Sequence, residues 1–167
     1  MTENLQPAIF TGATTIKETD DYELVRLEDG TYKKKMKYQP YHSRVAVTPE
    51  EKIELFNVFN DDTNEIVVPL KNMVKKQFAI AHVFTQPYES LDEETGELTY
   101  GVTTTFQDTE GNYYATSSKT VYYSVMNIMK TFGKPTDPTY KPIQVEVTGT
   151  KQQRGVQIGL KLIGIAE

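Results

Sequence analysis

The sequence contains no cysteine and no tryptophan, and only two histidines in 167 residues. Without cysteine there are no disulfide scaffolds, no thiolate zinc sites and no cysteine nucleophiles. His42 and His82 lack metal-ligand spacing and have no partner evident in the sequence, so neither a metal nor a cofactor is expected. His82 lies in an apolar strand and reads as a hydrogen-bonded core residue; His42 reads as part of a basic patch. Long apolar runs are missing as well. Mean hydropathy is −0.51, and no stretch approaches the roughly 18 residues of a membrane span. The opening "MTENLQPAIF" has no charged region followed by an apolar one, so no secretory signal is expected. No glycine-rich phosphate loop occurs: "FGKPTDP" has a Gly-Lys pair but neither the spacing nor the following Ser or Thr. Carboxylates cluster at Asp20-Asp21, Asp61-Asp62 and Asp92-Glu93-Glu94, all in turn-like segments where solvated charge is the ordinary explanation. Catalysis has little to work with, and no enzyme is expected.

What is present is a chain of ordinary globular composition, 38% hydrophobic and 25% charged, long enough to bury a core. Its formal charge is −5, yet "TYKKKMKYQPYHSR", residues 31–44, holds five cations and three tyrosines with no carboxylate. A lysine-rich strand can simply protect a sheet edge. It can also bind a polyanion despite the negative total, because screening at about 0.15 M salt acts over roughly 8 Å.

The order of elements narrows the choice. "YELVRLEDGTYKKKMKYQ" reads as a hairpin turning at Glu28-Asp29-Gly30, where Asp-Gly tolerates positive φ. Its second strand puts Tyr32, Lys34, Met36 and Tyr38 on one face and Lys33, Lys35 and Lys37 on the other. "VTPEEKIELFNVF" is a helix with Thr48 as cap, Pro49 in the first position and Glu51 completing a capping box. Ile53, Phe56 and Val58 or Phe59 are its expected buried side. "EIVVPL" is a short strand or turn, "KKQFAIAHVFTQ" a long strand, and "PYESLDEETGEL" an acidic loop. "TYGVTTTFQD" and "NYYATS" form a hairpin around Thr109-Glu110-Gly111. "SSKTVYYSVMNIMKTFGKP" is a helix capped by Ser117 or Ser118 and stopped by Gly133 and Pro135. Val121, Tyr122, Val125, Ile128, Met129 and Phe132 recur along it at helical spacing. "PIQVEVTGT" and "VQIGLKLIG" are strands joined by "KQQRG", with Ile143, Val145 and Val147 sharing one face and Val156, Ile158, Leu160 and Leu162 another.

Three strands, a helix and two strands make up the element order of the OB-fold, a five-stranded, partly open barrel with ligands on strands 2–3 and the loops beside them. The expected fold class is therefore mainly β: an OB-fold barrel with a helix between strands 3 and 4. Residues 64–167 form that domain, and residues 1–63 an extension of arm, hairpin and helix packed on it. Single strands of nucleic acid are held by a cationic groove and aromatic platforms under the bases. Tyr100 and Phe106 on the second barrel strand and Tyr113 and Tyr114 on the third are candidate aromatics. One of the adjacent pair is expected in the core and the other exposed. Lys151 and Arg154 in the last hairpin add charge, and its plain reading is a solvated turn.

"SSKTVYYSVMNIMKTFGKP" followed by "PIQVEVTGTKQQRGVQIGLKLI" resembles single-stranded DNA-binding proteins of phages and conjugative elements from Gram-positive bacteria. The resemblance covers roughly residues 64–165. It implies an OB-fold, sequence-tolerant binding of single-stranded DNA during replication or transfer, no enzymatic activity, and a cytoplasmic location, the host cell's for a phage protein. The chain ends "LIGIAE", without the acidic tail through which bacterial housekeeping single-strand binders recruit partners. On this reading Lys33, Lys35 and Lys37 track phosphates and Tyr38 and Tyr41 serve bases. Pro40 breaks the strand so that the segment through Arg44 can curve around the ligand. Nothing in the sequence reads the 2′-hydroxyl, so RNA stays open as a ligand, and so does a homo-oligomer. Two other readings remain at this point: a phage or mobile-element protein that self-assembles, and an adaptor that binds another protein through its aromatic surface.

Overall fold

The computed structural model describes residues 14–166. The expectations that fall on residues 1–13, the start of the arm and the absent secretory signal, lie outside the described residues. Two compact units emerge: one of residues up to Gln39 together with Pro87–Gly101, the other of Pro40–Gln86 and the chain from Val102 onward.

The smaller unit contains a three-stranded antiparallel meander, β1 (Thr14–Glu18), β2 (Tyr22–Arg26) and β3 (Tyr32–Met36). The expected β2–β3 hairpin is present, and Gly30 takes φ +83° in its turn. The first strand is an addition: "TTIKE" is exposed at every position and carries no alternation that would announce it. Thr19 ties the β1–β2 turn by accepting from the Tyr22 amide at 3.1 Å. Val25 and Tyr38 are buried in this unit.

The larger unit begins with a two-residue strand, β4 (Tyr41–His42), then helix α1 (Pro49–Phe59) and β5 (Val67–Pro69), which runs into a 3₁₀ turn over Leu70–Met73. The long strands β6 (Gln77–Leu91) and β7 (Leu98–Asp108) follow, then β8 (Tyr113–Thr116), helix α2 (Lys119–Phe132), β9 (Ile143–Gln152) and β10 (Gly155–Ile165). "PYESL", expected in an acidic loop, instead continues β6, and the turn shrinks to residues 92–97. Asp92 closes that turn by accepting from the Glu94 amide at 2.9 Å.

The sheet order is β10-β9-β6-β7-β8-β5, with β4 also paired to β6. For the five barrel strands this is the order 5-4-1-2-3, curled into a half-barrel with α2 between the third and fourth strands, as an OB-fold requires. At its far edge β8 pairs with β5 in parallel, Val67 opposite Tyr113. The main core lies between α2 and the curled strands: Val121, Val125 and Met129 of the helix meet Phe78, Phe106, Val145 and Val147. On β10, Ile158 is buried and Leu160 packs against the core. Val156, near the hairpin tip, and Leu162, beside a register irregularity, are exposed.

A second cluster joins Leu55 and Val58 of α1 to Val67, Phe84 and Tyr113. The buried side of α1 therefore matches the expected one only in part: Val58 is buried and Phe59 packs against the cluster as expected. Ile53 and Phe56 are 62% and 66% exposed, and the neighbouring Leu55 stripe faces inward instead. Thr48 caps α1 by accepting from the Glu51 amide at 3.2 Å. The Glu51 carboxylate reaches one residue further back than in a standard capping box, accepting from the Val47 amide at 3.0 Å. Ser118, not Ser117, caps α2.

Candidate nucleic-acid interface

In the smaller unit, β3 and the adjoining stretches of β6 and β7 enclose a groove of about 520 Å³. Four of the sequence-derived candidates line it: Lys35, Lys37, Tyr38 and Tyr100. The Lys35 ammonium stands 4.6 Å from the centre of the Tyr100 ring, a cation–π contact. Burial pushes the Tyr100 hydroxyl above its usual pKa, and the Glu89 and Glu23 carboxylates add to the effect. Lys37 ion-pairs with Glu18, whose carboxyl is held below its ordinary value by that hydrogen bond. Lys33 sits beside Lys35 on the same strand face, half-buried opposite Val25. Lys34 lies on the other face over the Tyr22 ring, 4.1 Å from its centre. The basic run is thus partly a structural device, since its ammoniums lie along aromatic rings and against carboxylates as well as facing solvent.

The remaining candidates belong to the larger unit, where several are committed to packing. Phe106 is fully buried between Phe78 and the rest of the core. Tyr113 and Tyr114 are both buried, 5% and 7% exposed, where one of them was expected outside. The pleat does send them to opposite faces, but β8 is covered on both. Tyr114 enters the main core, and Tyr113 the cluster under α1. The Tyr114 hydroxyl donates to Asp108 at 2.8 Å, and burial with that bond pushes its pKa up to about 12.

Arg44 donates to the Tyr113 hydroxyl at 2.6 Å and to Glu54 at 3.4 Å, while the Tyr113 hydroxyl donates to Glu54. This network holds β8, α1 and the segment after β4 together. Burial first, then the Glu54 hydrogen bond, raises Tyr113 to about 12. Tyr41 packs against the main core, with the Lys134 ammonium 5.8 Å from its ring centre. His42 is exposed at the end of β4, with one side of its ring on aromatic neighbours. It packs on Phe59 and Phe84 at 5.2 and 5.4 Å, and that burial lowers its pKa, which favours the neutral ring. His82 is half-buried with Nδ1 3.2 Å from the Ser43 hydroxyl, and its pKa is likewise lowered, by burial and then by Arg44.

Lys151 and Arg154 are exposed at the β9–β10 hairpin, where Gly155 takes φ +111°. The larger unit also has a cleft of about 530 Å³ between β7 and β8 on one side and the start of β10 on the other. Its walls are mixed: Thr103, Thr105, Thr116 and Gln157 stand beside Val67, Leu70 and Val156, with Lys71 at the side. Among the described residues no cluster of three His, Asp or Glu is placed to hold a metal, and no helix is long and apolar enough to cross a membrane.

Sequence reasoning missed Tyr88, which also lines the groove of the smaller unit and is 41% exposed. It falls in "PYESLDEETGEL", expected to be an acidic loop, where β6 in fact continues to Leu91.

The single-stranded DNA-binding protein of Bacillus phage GA-1 is 37% identical to this chain over 154 residues, 91% of this chain and 89% of that protein. The chain belongs to the phage single-stranded DNA-binding proteins. No family model and no solved structure matches it. The match takes in more of the chain than residues 64–165, the segment that carries the resemblance.

Proposed function

We infer that this protein binds single-stranded DNA without strong sequence preference and without catalysis, in support of phage DNA replication. The observation that carries the reading is the match over nine-tenths of the chain to a phage single-stranded DNA-binding protein. The half-barrel supplies the scaffold on which such ligands are held. Contacts divide into two kinds. Lys33, Lys35, Lys37, Lys151 and Arg154 neutralise phosphates and release counterions. Tyr38 and Tyr100 in the smaller unit, and Tyr41 in the larger, serve bases, while Phe106, Tyr113, Tyr114 and Arg44 act from beneath by keeping β7 and β8 in place. The protein works in the host cytoplasm.

The test is fluorescence anisotropy of a labelled oligo-dT titrated with protein at two salt concentrations, with duplex DNA as competitor. Binding that duplex fails to compete is expected, with log affinity falling by about 0.7 per neutralised phosphate for each tenfold rise in salt. Absence of binding at low salt would refute the reading. An equal preference for oligo-U would extend the ligand to RNA.

A further inference from the structure

We propose that Tyr88, seated on Gly101, is a base-stacking platform, and that the groove it shares with Lys35 and Lys37 holds one nucleotide of a bound single strand. The proposal rests on the single-stranded DNA-binding reading and adds to it a specific subsite.

The geometry of Gly101 carries the argument. A Cβ atom built there would lie 2.4 Å from Cζ of Tyr88, 2.5 Å from its hydroxyl oxygen and 2.9 Å from Cε1. Real side-chain carbons do not come so close, so the phenol end of Tyr88 occupies the space that any other residue at 101 would fill. The ring rests on the backbone of the neighbouring strand and is 41% exposed. A large ring braced on one side and open on another has little motion left to lose when a base stacks on it. Base–aromatic stacking is also tolerant of sequence, because every base presents a π-face.

The surroundings fit a nucleotide. The groove, about 520 Å³, falls within the roughly 300–1,000 Å³ of small-ligand sites. Lys35 and Lys37 line it, and so does Glu89. Lys37 is paired with Glu18 at the surface; exposed pairs of this kind are weak and salt-screened, so a phosphate can compete for the ammonium. Glu89 offsets part of the positive charge. Stacking rather than phosphate attraction therefore dominates at this subsite, and its loss should lower affinity with little change in the salt slope.

The full chain would be titrated into labelled oligo-dT by anisotropy as wild type, Tyr88→Phe, Tyr88→Ala and Gly101→Ala, with thermal melting of each. Tyr88→Ala is expected to bind about 5- to 150-fold more weakly, the span of one stacked base, at an unchanged salt slope. Tyr88→Phe should stay within about twofold. Gly101→Ala moves the ring without deleting it, since the clash is with the far end of a side chain, and should weaken binding while the fold survives. Oligonucleotides carrying 5-iodouracil, irradiated in complex and mapped by mass spectrometry, should give an adduct at Tyr88. Wild-type affinity in Tyr88→Ala, or adducts confined to other aromatics, would overturn the subsite and leave single-strand binding standing. A wild-type chain that binds no oligo-dT would overturn both.

Discussion

Asp61 shows how much one carboxylate can organise. Its two oxygens accept from the amides of Thr63, Ile66 and Val67 at 3.3, 2.9 and 2.8 Å, tying the end of α1 to the start of β5. Those bonds bring its pKa from 3.8 down to about 2. A carboxyl depressed on folding contributes stability above its unfolded pKa, and the contribution fades as pH falls through the folded value. Asp61→Asn should therefore lower the melting temperature at pH 7, and the gap to wild type should shrink as pH drops from about 4 towards 2. A gap independent of pH would mean the bonds do not depend on ionisation. Phe106 offers a contrasting case. Its ring is fully buried, so Phe106→Ala should cost about 3–5 kcal/mol in urea unfolding. At this scale the sequence is most misleading about aromatics. "YY" in a threonine-rich strand looks half-exposed, but alternation reports only which face a side chain takes. What covers that face is decided by α1 and β5, far away along the chain.

The two helices were unequally legible. In α2 the apolar positions Val121, Tyr122, Val125, Ile128, Met129 and Phe132 form one stripe, and it is buried except at its end, where Ile128 is half-buried and Phe132 is exposed. In α1 two stripes compete, one through Ile53 and Phe56 and one through Leu55 and Val58, and only contact with Phe84 and Tyr113 selects the second. The caps, by contrast, are local chemistry and were readable directly. Ser118 accepts from the Val121 amide at 3.2 Å, and Ser118→Ala should destabilise the protein by about 1 kcal/mol in chemical denaturation. A change much larger than 2 kcal/mol would show that the hydroxyl does more than cap. Its second contact, with the Ile158 carbonyl at 3.4 Å, is long enough to add little. Among strands, β1 was invisible because none of its residues is buried, while β9 announced itself through the alternation of Ile143, Val145 and Val147.

For the whole molecule, element order narrows the sheet to a handful of topologies, because few connect three strands, a helix and two strands without crossing, and the half-barrel is one of them. Charge does not follow so simply. The run at residues 31–44 is the densest cationic feature of the sequence, yet it shares its lysines between solvent, Tyr22, Tyr100 and Glu18. The exposed pair Lys151 and Arg154 was the less conspicuous signal. Changing both to glutamine should flatten the salt dependence of oligo-dT binding by about 1.4 in log–log slope, if each neutralises one phosphate. An unchanged slope would remove that hairpin from the interface.

The chain enters the smaller unit twice, through the residues up to Gln39 and again through Pro87–Gly101 in the middle of two barrel strands. Such a unit cannot be gained, lost or exchanged by one fusion or one deletion. Removing β1 to β3 would strand the β6–β7 tip without its partners, and shortening that tip would leave the meander with nothing to close on. In descent, therefore, the two segments should rise and fall together: relatives that lack the N-terminal strands should also carry a short β6–β7 hairpin.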